Sequence, residues 1–146
     1  MSETRTIMFE KIMPHSPEKI WCTLTDSALI ARWLMANDFS PFVGHRFNFK
    51  SKPMEHRDGI VHCEVLACEP PRLLRYSWKS SAGKNVAPGS RLDTIVTWTL
   101  TPAEAGTHVR MEQEGFRLPE NEPAYKGANF GWSRLLEGLE RVTREG

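Results

Sequence analysis

A few places in this sequence hold residue types that do chemistry elsewhere. His62 and Glu64 alternate along one strand-like run, the spacing that would bring two ligands to a metal from one face of a sheet. His108, Arg110, Glu112 and Glu114 form a second alternating row. Both rows interleave with a second set, Cys63 and Val65 in the first and Val109, Met111 and Gln113 in the second. Glutamate is rarely buried unpaired, so the interleaved set takes the core and the charged rows take the solvated face. Neither PGSRL nor GWSRL supplies the G-x-S-x-G turn of a serine nucleophile. Cys22, Cys63 and Cys68 are odd in number and lack the CxxC spacing, which predicts reduced, metal-free thiols. No catalytic residue, metal ligand or cofactor is assigned.

The expected inward set is Val61, Cys63, Val65, Tyr76, Trp78, Val96, Trp98, Leu100, Val109, Met111 and Gln113. Only Cys63, Tyr76 and Gln113 are polar among them, and a buried polar group needs a partner in the protein, in water or in a ligand. Tyr76 and Gln113 are therefore candidate polar ligand contacts; alternatively they satisfy each other or a trapped water. No His, Asp or Glu points inward, which leaves Tyr76 and Cys63 as weak acids or bases. Trp21, Trp33 and Trp132 sit at helical spacing and read as core or cavity wall.

The elements that must position these residues follow from periodicity. Residues Thr4 to Met13 alternate and stop at Pro14, a strand. Ser16 and Pro17 open a short helix carrying Ile20, Trp21 and Leu24 and ending near Thr25; Asp26 or Ser27 caps a second one carrying Leu29, Ile30 and Trp33. Five β-rich runs follow, HRFNFK, GIVHCEVLA, RLLRYSWK, DTIVTWTLT and THVRMEQEGF, divided by Gly59, Pro70-Pro71, the loop SSAGKNVAPGS, and Pro102 to Gly106. From about Glu122 to Arg144 a helical stripe returns, Ala128, Trp132, Leu135, Leu139 and Val142, with Glu137–Arg141 and Glu140–Arg144 spaced as i,i+4 pairs. The order β-α-α-β-β-β-β-β-α predicts an α+β fold, a curved antiparallel sheet with the long helix across its concave face.

That helix carries Gly127, Gly131 and Gly138, each costing about 1 kcal/mol relative to alanine in a helix interior. They fall along one edge of the apolar stripe. Such an edge permits either close packing against a strand or an open strip of cavity. The expectation is that Gly131 and Gly138 line a pocket walled by Trp132 and Leu135.

With 146 residues, 40% hydrophobic and 25% charged, the chain has the balance of one globular domain over 1–146. A net charge of +1 and the absence of a Lys/Arg run argue against nucleic acid or anionic membrane as nonspecific partners. No segment approaches the roughly 18 apolar residues of a membrane span, and the N-terminus has no signal-peptide pattern. A soluble, cytoplasmic protein is expected, monomer or homodimer.

The segments PHSPEKIWCTLTD with Arg32-Trp33, PFVGHRFNF, EVLACEPPRLLRYSW, VTWTLTPAEAGTHVRMEQEGF and GWSRLLEGLE resemble, in that order, the activator of Hsp90 ATPase homologue (AHSA1-like) family of the START-like, or SRPBCC, superfamily. The resemblance implies the helix-grip fold, with a cavity between sheet and long helix and, if a ligand is bound, a small hydrophobic or aromatic molecule in it. Candidate ligand contacts are then Trp21, Trp33, Cys63, Tyr76, Trp98, Met111, Gln113, Gly131, Trp132, Leu135 and Gly138. A polyketide cyclase or aromatase using the same cavity is the alternative, and a protein-interaction role is the third. The eukaryotic activators that named the family also use a separate N-terminal domain, so the resemblance weighs against Hsp90 activation. Binding without catalysis is the preferred reading.

Overall fold

A computed structural model describes residues 3–50, 60–80 and 92–145. The elements are β1 (Glu3–Met13), α1 (Pro17–Thr25), α2 (Ser27–Trp33), β2 (Ala36–Asn37), β3 (Arg46–Lys50), β4 (Ile60–Glu69), β5 (Leu73–Ser80), β6 (Asp93–Ala103), β7 (Gly106–Leu118) and α3 (Glu122–Glu145). Among the described residues the strands form one antiparallel sheet in the order β1-β7-β6-β5-β4-β3-β2. The α+β helix-grip expectation holds. One element differs: β2, a two-residue strand pairing with the end of β3, has too little sequence to carry any period. Gly59 and most of SSAGKNVAPGS lie outside the described residues.

Local chemistry sets the helix entries. Ser16 Oγ accepts the Lys19 N–H at 3.2 Å, with Pro17 in the first turn. Asp26 serves two helices at once: its N–H donates to the Cys22 carbonyl and closes α1, while its carboxylate accepts the Leu29 N–H at 3.1 Å and opens α2. The two short helices thus meet at one residue, which fixes the corner that brings Trp33 inward.

Two glycines shape the sheet. Gly115 (φ +108°) is skipped between the pairs Thr6↔Glu114 and Arg5↔Phe116, a bulge that turns both Gln113 and Phe116 inward. Gly106 (φ +144°) closes the β6–β7 hairpin beneath the end of β1, where a Cβ would lie 2.1 Å from the Met13 carbonyl oxygen.

The core lies between the concave sheet face and α3. Val65, Leu74, Val96, Trp98, Val109 and Met111 are sealed, and Val61 and Trp78 are half-buried against them. The outer face carries the expected charges, with Arg46–Glu64 at 3.6 Å, His108–Glu10 at 3.4 Å and Arg110–Glu112 at 3.2 Å. On α3 the buried residues are Trp132, Leu136, Leu139, Val142 and Thr143. This corrects the sequence stripe: Leu136 faces the core and Leu135 is only half-buried, because α1 and α2 cover the helix from one side and rotate its buried arc by about one residue. Of the i,i+4 pairs, Glu140–Arg144 forms at 3.9 Å, whereas Arg141 turns to Glu145 at 4.0 Å.

Replacing Gly106 by Ala should destabilise the fold by at least about 1–3 kcal/mol in urea unfolding, since both its dihedral and its space exclude a side chain. A second expectation concerns the contact of His15 Nε2 with Glu140 Oε1 at 3.0 Å, nine-tenths buried on the histidine side, which ties the β1–α1 connection to α3. The hydrogen bond from His15 lowers the Glu140 pKa, and Arg144 and Lys11 add to it. A depressed carboxyl pKa contributes stability that is present above the ordinary value near 4.5 and is lost as pH falls through the folded value. Glu140→Gln should therefore flatten the acid limb of stability against pH and leave little pH dependence from this contact.

Candidate functional site

The inner surface of the grip is a continuous aromatic assembly. Phe39, Phe47, Phe49 and Trp78 follow one another with ring centroids 5.0–5.4 Å apart. Trp78 meets Trp132 at 5.8 Å, Trp132 meets Trp98 at 5.8 Å, and Trp98 meets Trp33 edge-on at 5.7 Å. Tyr76 packs beneath Phe47 at 5.6 Å. Strand alternation supplies the β-sheet members, and the i, i+4 stripes of α2 and α3 supply the two helical tryptophans from the opposite side.

The polar groups of this surface are nearly all spent. Trp132 Nε1–H donates to Gln113 Oε1 at 2.7 Å, Gln113 Nε2–H donates to Thr94 Oγ1 at 2.9 Å, and the Thr94 hydroxyl donates to the Trp78 carbonyl at 2.8 Å. This directed chain runs from α3 through the sheet. Separately, Trp98 Nε1–H donates to the Tyr76 hydroxyl oxygen at 3.1 Å and Trp33 Nε1–H to the Thr23 carbonyl at 3.1 Å. Gln113 and Tyr76 thus do not satisfy each other; each takes a tryptophan N–H. Among the described residues no buried side-chain polar atom lacks a partner.

Burial pushes the Tyr76 phenol well above its ordinary pKa, opposed in part by the Trp98 N–H. Burial likewise pushes the Cys63 thiol up, with the Asp38 carboxylate adding to it. Both stay protonated near neutral pH, so neither is poised to take a proton. Cys22, Cys63 and Cys68 are free thiols, and the described residues contain no group of three or more side chains suited to a metal ion.

The predicted contacts separate into two sets. Cys63, Tyr76, Trp98, Met111 and Gln113 lie together on the sheet, all sealed, and Trp132 and Trp33 close over them. Trp21, on α1, is buried in the same core cluster but makes no ring contact with this assembly among the described residues. Leu135, Gly131 and Gly138 keep partial exposure. The two glycines do different things. A Cβ at Gly138 would touch Trp33 Cβ at 3.4 Å, so the helix backbone packs there against α2 rather than against a strand; at Gly131 a Cβ would meet nothing within 4 Å. Gly138 and Trp33 form the floor of an open outer groove of about 590 Å³. The sequence reading missed Phe47, Phe49 and Thr94. All three were available from alternation, in RFNF and in Thr94-Val96-Trp98, but the phase of β3 could not be set without its pairing Phe47↔Cys63 and Phe49↔Val61.

Tyr76→Phe should strand the Trp98 N–H, and Gln113→Leu should strand the Trp132 N–H together with a Thr94 contact. Each should cost about 1–3 kcal/mol in chemical denaturation while the fold persists.

Comparisons with known proteins extend over the whole fold. The model for activator of Hsp90 ATPase homolog 1-like protein matches residues 14–144. A crystal structure of a protein from Mesorhizobium loti is 46% identical, with 97% of this chain and 98% of that one aligned and a TM-score of 0.86. A solution structure from Bacillus halodurans is 23% identical over 95% of this chain and 96% of that one, with a TM-score of 0.75. The crystal structure of DynU16, a protein of the dynemicin biosynthetic locus, is 21% identical; the alignment takes in 95% of this chain but 47% of that one, with a TM-score of 0.74. The last two show likeness of fold alone. No curated protein matches.

Proposed function

Because the chain belongs to the activator of Hsp90 ATPase homolog 1-like family, and its fold is a grip of sheet and helix, we propose that it is a binding module for a small hydrophobic or aromatic molecule. The observation that carries the reading is the contrast along α3. Trp132 is 3% exposed and packed into the aromatic assembly, yet a Cβ at the preceding Gly131 would meet nothing within 4 Å. Ala128, Gly131 and Leu135 succeed one another on that side of the helix, all half-buried, with Trp78 half-buried against Trp132. An apolar, partly open strip beside packed indoles suits a flat apolar ligand, which gains by covering the strip and stacking on the rings.

Catalysis finds little support in the same surface. Its titratable members, Tyr76 and Cys63, are held protonated by burial, and Gln113 is engaged at both ends, by Trp132 and by Thr94. A cyclase needs a group that gives and takes a proton near neutral pH. Orientation of the ligand falls to shape and stacking, with Trp33, Trp98 and Met111 as the supporting wall behind the exposed strip.

Binding of the neutral dye N-phenyl-naphthylamine, followed by its fluorescence and by quenching of tryptophan emission, tests this. Gly131→Leu should fill the strip and abolish binding with the melting temperature unchanged or raised, whereas Gly138→Leu should overpack Trp33 and cost about 1–3 kcal/mol of stability. Turnover of an aromatic or polyketide-like compound, lost selectively in Tyr76→Phe, would replace the binding reading with an enzymatic one. Native mass spectrometry of protein from its own host identifies the ligand by its mass.

A further inference from the structure

The outer groove over α3 concentrates charge that the rest of the chain does not. Five cationic side chains line it, Lys11 from β1, Arg32 from α2, and Arg134, Arg141 and Arg144 from α3, against two carboxylates, Glu137 and Glu140. The whole chain is only +1. Part of this charge is already used in a telling way. The Glu145 carboxylate is gripped by Arg32 of α2 and lies 4.0 Å from Arg141 of α3, so two elements converge on one acid. Arg144 is shared with Glu140 at 3.9 Å. Arg134 and Lys11 have no carboxylate within ion-pair distance among the described residues; Arg134 instead lies over the ring of Phe130, 4.7 Å from its centroid. Phe130 is 65% exposed, a large apolar side chain offered to solvent beside the groove.

We propose that this groove docks an acidic, extended segment of a partner polypeptide, with Arg134 and Lys11 reading its carboxylates and Phe130 receiving an apolar residue. The spacing selects the occupant. From Arg134 to Arg144 the helix rises about 15 Å, the length of roughly five extended residues, whereas the charges of a compact phosphate ligand sit within a few ångströms of one another. Glu137 and Glu140 interrupt the cations, which disfavours a continuous polyanion such as nucleic acid and suits a chain whose acids alternate with neutral residues. The floor is smooth: Gly138 presents no side chain, and Trp33 beneath it is buried. Charge complementarity of this kind sets encounter rate and specificity more than affinity, so the association is expected to be weak and salt-dependent. Gly131 lies one turn before Arg134 on the same edge of α3, so the groove adjoins the apolar strip there.

Fluorescence anisotropy of a fluorescein-labelled peptide of alternating Glu and Ser, roughly eight residues long so that it overhangs the arginines, tests the docking at low salt. Saturable binding is expected, weakening as salt rises. The double variant K11Q/R134Q should lose roughly three- to tenfold in affinity, the scale of two exposed ion pairs, while R46Q/R72Q, which removes the same charge from β3 and the β4–β5 turn, should bind as the parent does. Phe130→Ser should lower affinity only for a peptide in which one Ser is replaced by Leu. Circular dichroism checks that each variant is folded. Absence of saturable binding, equal loss in R46Q/R72Q, or tighter binding of a labelled single-stranded oligonucleotide or inorganic polyphosphate than of the peptide would overturn the proposal.

Discussion

The bond from Trp132 Nε1 to Gln113 Oε1, 2.7 Å long and fully buried, is the constraint on which the interior depends. An indole N–H and a primary amide are both costly to leave unpaired in a dry core, and here each has few positions in which it is satisfied. The amide's other end is held by Thr94, whose hydroxyl is held by the Trp78 carbonyl. Sliding α3 along the sheet, or rotating it, would break the bond and leave the buried Trp132 N–H and Gln113 Oε1 unpaired. Apolar packing alone tolerates such slips; a directed polar chain does not.

From that anchor the rest of α3 takes its place. Four residues on, Leu136 enters the core, and Thr143 reaches within 2.9 Å of Thr23 on α1. His15 and Glu140 clasp the far side, and Gly138 lets the backbone settle on Trp33. The C-terminal half of α3 is thereby joined to α1, α2 and the connection before them. Two turns earlier on the same edge, at Gly131, α3 has no such contact, and there the apolar surface stays partly open. The proposed ligand strip and the proposed docking groove follow one another along the same edge of one helix, the strip at Gly131 and the groove from Arg134 onward.

The glycines show how one residue type serves opposite ends. At Gly106 and Gly115 a positive φ and a close backbone leave no room for a side chain. At Gly138 the constraint is contact with a neighbouring helix, and at Gly131 an added Cβ would meet nothing within 4 Å. A helix tolerates each such glycine only at a cost of about 1 kcal/mol in propensity; contact explains the one at 138, and open space leaves the one at 131 to function.

What the sequence determined by itself is whatever one element encodes alone. Alternation in β4 to β7 placed Cys63, Tyr76, Trp98, Met111 and Gln113 inward, because a period of two has only two phases and the charged phase cannot be buried. The capping residues Ser16 and Asp26 set the ends of α1 and α2, because a cap bonds within its own turn. The arrangement of strands into a grip was legible from the order of elements and the family resemblance. Relations between elements were decided only by the tertiary structure. Which partner Gln113 takes, Tyr76 or Trp132, depends on where α3 comes to rest, and the choice of Leu136 over Leu135 depends on how α1 and α2 cover it. Arg32 meeting Glu145 across 113 positions of chain has no local signature, nor does the difference between Gly131 and Gly138. These are contacts of long sequence separation, and a side chain carries no mark of a neighbour that only the folded backbone brings to it.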